Sequence, residues 1–147
     1  MQNQNFTITI LVDGTPADVF KAITDVARWW TGEPGVEGTA HKIGNEFTYR
    51  YNGFHYSKQI VTELSPGEKI VWLITESKLD FTKEPNEWTG TQISFDIFPK
   101  NNKTALRFTH AGLTQNKECF TDCSNAWTSY INGSLKNFIH KTIVQRN

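Results

Sequence analysis

The chain has 147 residues, with 15 Lys+Arg against 15 Asp+Glu and aromatic side chains at 13%. That length suits one domain, residues 1–147, burying roughly 70% of the surface its unfolded chain exposes and needing neither disulfide nor metal to fold. Zero formal charge without a basic run excludes nucleic acid and anionic membrane as main partners, and no apolar run of about 18 residues offers a membrane span.

The start, Met1-Gln2-Asn3-Gln4-Asn5, lacks the basic and apolar parts of a signal peptide, so a cytoplasmic location is expected. Cys119 and Cys123 then read as reduced thiols rather than a secreted framework.

Phe6, Ile8, Ile10 and Val12 alternate with Thr7, Thr9 and Leu11, which predicts a first strand with one apolar face, ended by Asp13-Gly14. Thr15-Pro16-Ala17-Asp18 has the composition of a capping box with proline at the first helical position. Val19, Phe20 and Ile23 give the short helix that follows its buried side. A second short helix is expected from Asp25 to Trp30, stopped by Gly32 and Pro34-Gly35.

From Gly44 the period becomes two. Phe47, Tyr49 and Tyr51 share one face, and Asn52-Gly53 predicts a tight hairpin into a return strand that runs to about Leu64. Ser65-Pro66-Gly67-Glu68 is the next turn. Ile70 to Thr75 is apolar on both faces, as a central strand or cavity wall would be. Trp88 to Phe98 resumes the alternation, Asn101-Asn102 turns the chain, and Thr104, Leu106, Phe108 and His110 share a face.

The last segment, about 116–144, is the one long helical pattern. At about 100° per residue, Phe120, Cys123, Trp127, Ile131, Ser134 and Phe138 form a single stripe. A stripe of that width must lie on an apolar surface, and the strands supply one. The expected class is α+β: a curved antiparallel sheet of about six strands around a long C-terminal helix, with two short helices after the first strand.

The order of elements, the run Gly90-Thr91-Gln92-Ile93-Ser94-Phe95, and the strand Thr104–Leu113 with its T-x-L-x-x-x-H-x-G pattern carry a resemblance. So do Trp29-Trp30, Ser65-Pro66 and Leu135-Lys136, together with Ala126-Trp127, where the pattern has Gly-Trp. The chain resembles the START-like (SRPBCC) helix-grip superfamily, in the branch named for the C-terminal domain of the heat-shock-protein (Hsp-ninety) ATPase activator. The match spans nearly the whole chain. It implies the helix-grip fold and an internal cavity, but no single activity, because the superfamily includes lipid and hormone binders, polyketide cyclases and uncharacterised domains.

The residues expected around that cavity are Trp30, Tyr49, Tyr51, Trp72, Phe95, Phe108, His110, Trp127 and Ile131. Bulky rings on a concave sheet either hold the helix off it, leaving an apolar pocket, or fill the space. Trp29-Trp30 either gates the mouth, one ring buried and one near solvent, or simply packs. His110 is either a general base or a strand-end tie to the following loop, and the face that His55 presents is open. Cys119 and Cys123 are four apart on a helix, but no further Cys/His pair has ligand spacing, so no metal or cofactor is expected.

No catalytic motif stands out, and the catalytic set is unknown. The leading expectation is a binder of a small apolar or aromatic molecule. The alternatives are a cyclase- or hydrolase-type enzyme using His110 or His55, and a module that binds a chaperone.

Overall fold

The computed structural model describes residues 4–146; the polar start at Met1–Asn3 and the last residue of the expected domain lie outside the described residues. Seven strands form one antiparallel sheet. They are β1 (Phe6–Val12), β2 (Pro34–Gly38), β3 (Glu46–Tyr51), β4 (His55–Ser65), β5 (Lys69–Leu79), β6 (Gln92–Lys100) and β7 (Lys103–Ala111). The order across the sheet is β1-β7-β6-β5-β4-β3-β2, so β5 is central, as its two apolar faces require.

The sequence pattern gives about six strands, and β2 is the addition. It begins at Pro34, which reads as a helix stop, yet it pairs with β3 from Pro34↔Tyr51 to Gly38↔Phe47. Proline is tolerated there because β2 is the sheet edge, where one side of the strand needs no ladder donors.

Turn chemistry sets the meander. Asn52 and Gly53 both have positive φ, 50° and 74°, as a tight hairpin with matched twist demands. Asn101 and Asn102 do the same between β6 and β7 at φ 52° and 64°. Register shifts at Lys58/Gln59 and Val61/Glu63, where β4 pairs with β5, bend the sheet locally so that it can wrap.

Helix α1 (Pro16–Thr24) starts with the reciprocal capping box of Thr15 and Asp18 and buries Val19 and Ile23. The next segment is one tight 3₁₀ turn, Val26–Arg28, and Asp25 makes no side-chain cap to it. Both Trp29 and Trp30 are buried, so neither ring swings out as a gate, and of the two only Trp30 borders the open pocket described below. The sheet's inner face turns them inward: Trp29 and Trp30 each lie nearly parallel to Trp72, at 6.4 and 6.2 Å.

The C-terminal helix is continuous but not uniform: α2 (Phe120–Ser129), a wide π-helical turn (Tyr130–Leu135), then α3 (Lys136–Arg146). Its buried line is Cys119, Cys123, Trp127, Ile131, Leu135 and Ile139, each four residues from the last. In a straight α-helix that spacing drifts by about 40° per step, since four residues turn about 400°. The wide turn takes up the surplus and keeps the line on the sheet. Beyond it the contact passes from the expected Ser134 and Phe138, both half-buried, to Leu135 and Ile139. Ser134 instead donates to the Trp29 carbonyl at 2.6 Å, tying the helix to the 3₁₀ segment.

Candidate functional site

The core of the grip is closed. Trp72, Phe95, Phe108 and Ile131 are fully buried, with Phe108 4.6 Å from Trp127 and 5.3 Å from Phe95 between ring centres. Toward the β3–β4 hairpin the helix leaves part of the sheet uncovered, and a pocket of about 470 Å³ opens there. That volume lies within the roughly 300–1,000 Å³ usual for small-molecule sites.

Four groups of residues build it. The hairpin contributes Tyr49, Tyr51, Phe54 and His55, and the loop between β5 and β6 contributes Phe81 and Trp88. The helix contributes Asp122, Cys123, Ala126, Trp127, Ser129 and Tyr130, while Trp30 closes the floor. The floor is a stack: Tyr49 lies on Trp30 at 4.1 Å and 6°, and Trp88 lies on Trp127 at 5.6 Å and 14°. The rim is exposed, with Tyr51, Phe54 and Phe81 among the few large apolar side chains on the surface.

Backbone chemistry fixes these walls. The Thr31 carbonyl accepts from both Tyr49 Oη at 2.9 Å and Tyr130 Oη at 2.7 Å, and the two hydroxyls lie 2.7 Å apart. Burial first, then the Tyr130 hydroxyl beside it, pushes the Tyr49 phenol up; burial likewise raises Tyr130. Both are therefore neutral hydroxyls at pH 7. The β5–β6 loop is pinned to the helix start because the Glu87 carboxylate accepts from the N–H groups of Glu118 and Cys119. It caps a helix whose own N-cap, Cys119, makes no side-chain capping bond.

The structure places four of the nine expected cavity residues, Trp30, Tyr49, Tyr51 and Trp127, on the pocket. The other five, Trp72, Phe95, Phe108, His110 and Ile131, are packed under the helix and do not line it. The reason is coverage. An inward-facing pattern marks the concave face, but only where the helix stands clear is that face free.

His110 is fully enclosed. Its Nδ1 accepts from the Trp127 indole at 3.1 Å, and its Nε2 meets Thr91 Oγ1 at 2.8 Å, so the ring carries its proton on Nε2. Thr91 in turn donates to the Trp88 carbonyl. Burial, then the nearby His55 and Lys117, lower the pKa of His110 to about 3. With both nitrogens committed and no solvent, it works as a clamp of helix to sheet and not as an acid–base group. Gly112 makes room for this clamp: it sits at φ +103°, and an added Cβ would lie 2.5 Å from Thr91 Cγ2.

His55 is the histidine on the pocket. Its ring stands edge-to-face with Trp88 at 4.5 Å and with Tyr49 at 5.2 Å, and its Nε2 has no hydrogen-bond partner among the described residues. Burial lowers its pKa to about 4, so it is neutral at pH 7. Cys123 and Cys119 are both buried. The hydrogen bond with Cys119, then burial, pushes the Cys123 thiol up, away from reactive thiolate. Among the described residues, no group of three His, Cys, Asp or Glu is placed to hold a metal, and no helix is long and apolar enough to cross a membrane.

Phe54, Phe81, Trp88, Asp122, Cys123, Ala126, Ser129 and Tyr130 also line the pocket, though strand alternation and the helix stripe do not mark them as lining. The sequence pattern starts the strand that runs to Phe98 at Trp88, but β6 begins only at Gln92, so Trp88 sits in the preceding loop and its ring is free to turn onto the pocket. The helix residues follow from Trp127 by helical spacing, since Cys123 and Tyr130 are its neighbours at four and three residues.

Known proteins place this architecture. Residues 13–140 match the family described as Activator of Hsp90 ATPase homolog 1-like protein. The chain is similar to the Aha1 dimer from Colwellia psychrerythraea, with 27% identity over 92% of this chain and 96% of that one and a TM-score of 0.73. It also shares its fold with a protein of Mesorhizobium loti, at 12% identity over 95% and 98% of the two chains and a TM-score of 0.73. CalU16 from Micromonospora echinospora has the same fold, at 16% identity over 93% and 74% and a TM-score of 0.66. No curated protein matches the sequence. Fold and family are those of a START-like, SRPBCC-type module, and the chain belongs to the Activator of Hsp90 ATPase homolog 1-like family.

Proposed function

We propose that this protein, a single cytoplasmic helix-grip domain, binds a small apolar or aromatic molecule between the hairpin, the β5–β6 loop and α2. The observation that supports this is the pocket of about 470 Å³, walled by stacked rings and bordered by exposed ones. Apolar walls with a few oriented polar groups are the usual form of a small-molecule site. The polar groups here are the Tyr49 and Tyr130 hydroxyls, His55, Ser129 and Asp122.

An enzyme reading lacks support from His110, whose nitrogens are both engaged. A chaperone-binding role is the second reading, favoured by the family and by Tyr51, Phe54 and Phe81 exposed on one rim.

The test uses Ala126, which is exposed on the pocket side of α2. Ala126→Trp places a ring in the opening and costs about 0.5 kcal/mol in helix propensity. N-phenylnaphthylamine, a neutral fluorescent probe, should bind the wild type and not the variant, while both melt at nearly the same denaturant concentration. A wild type that leaves the probe dark, or a variant that binds it equally well, refutes the reading.

A further inference from the structure

The lining carries a charge pattern that narrows the ligand. Among the described residues, Asp122 is the one charged side chain lining the pocket, and no lysine or arginine lines it. It stands exposed in the first turn of α2 and makes no ion pair among the described residues. His55 adds no positive charge at pH 7, because burial keeps it neutral.

Around this single carboxylate stand aromatic rings, with Tyr51, Phe54 and Phe81 at the mouth and Trp88 and Trp127 behind. The face of such a ring is electrostatically negative and attracts a cation within about 6 Å. An organic anion entering the same space would give up water and find ring faces, Asp122 and a few neutral polar groups, with no lysine or arginine in the lining to offset the loss. A cation with apolar substituents meets the opposite balance: its surface is covered by rings, and its charge has Asp122 as counter-ion.

We propose that the ligand is an organic cation, of the quaternary or aromatic ammonium class, held with its charge among the rings and opposite Asp122. This rests on the ligand-binding reading above and adds its charge.

Three probes of one size separate the two claims: phenyltrimethylammonium, its neutral isostere tert-butylbenzene, and the anion benzenesulfonate, each titrated against intrinsic tryptophan fluorescence. The cation should bind about threefold to thirtyfold more tightly than the isostere, and the sulfonate most weakly. Asp122→Asn, a substitution on an exposed helix face, should narrow the gap between cation and isostere. The inference is overturned if the isostere or the sulfonate binds as tightly as the cation, or if Asp122→Asn leaves the gap unchanged. Binding of none of the three removes the underlying ligand-binding reading as well.

Discussion

The two ends of the sheet–helix contact are built from the same kind of residue and come out differently. Under the π-helical turn and α3, inward side chains such as Phe95, Phe108, Ile131 and Leu135 meet to full burial. Under α2, near the hairpin, Trp30, Tyr49 and Trp127 are just as well buried on their inner sides but look outward into an open pocket. The hydrophobic pattern is common to both. What differs is how far a helix, positioned by a few polar bonds, extends over the sheet.

Trp127 stands at the border, touching Phe108 on the closed side and Trp88 on the open one. Trp127→Ala should therefore have the largest effect, about 3–5 kcal/mol in a denaturant melt, with His110 Nδ1 also losing its donor. A loss under about 1 kcal/mol would mean that the helix does not grip the sheet at this point. Ile131→Trp tests the closed end alone. Ile131 is fully buried and does not line the pocket, so a larger ring has no free space there. The substitution should overpack and cost about 1–3 kcal/mol. Neutral stability would show room under the helix that the packing denies.

A smaller effect separates the histidines. His110 in the closed end and His55 in the open end have folded pKa values of about 3 and about 4, against an ordinary 6.5, both chiefly through burial. Below pH 6.5 the unfolded chain takes up protons that the fold refuses, so stability falls as pH drops from about 6.5 toward 4. The slope is at most about 1.4 kcal/mol per pH unit for each histidine and levels off below the folded values. His55→Gln should remove its share of that slope in urea melts at pH 6.5 and 4.5. An unchanged difference between the two pH values would show that His55 already meets water freely.

Much of the fold was legible because its signals are local. Asn52-Gly53 and Asn101-Asn102 impose positive φ, Thr15 and Asp18 close a capping box, and alternation marks the strand faces. Strand β2 was hidden because Pro34-Gly35 carries the chemistry of a stop, and only the edge position makes proline acceptable. The shift of the helix stripe to Leu135 and Ile139 depends on a wide turn that a fixed period cannot express. The pocket was half legible for a related reason. Periodicity gives the face on which Tyr49 or Phe108 lies, but coverage by the helix depends on three-dimensional ties, such as Glu87 to the start of α2 and Tyr130 to the Thr31 carbonyl.

The contrast between the two ends can be read directly from the five tryptophans, each of which gives one indole N–H resonance. Trp30, Trp88 and Trp127 line the pocket, whereas Trp29 and Trp72 lie in the closed core. In ¹⁵N-labelled protein titrated with naphthalene, the three pocket indoles should shift in a saturable way while those of Trp29 and Trp72 move least. Five unmoved resonances, or shifts largest at Trp29 and Trp72, would contradict the claim that this chain binds its ligand at the open end of the grip.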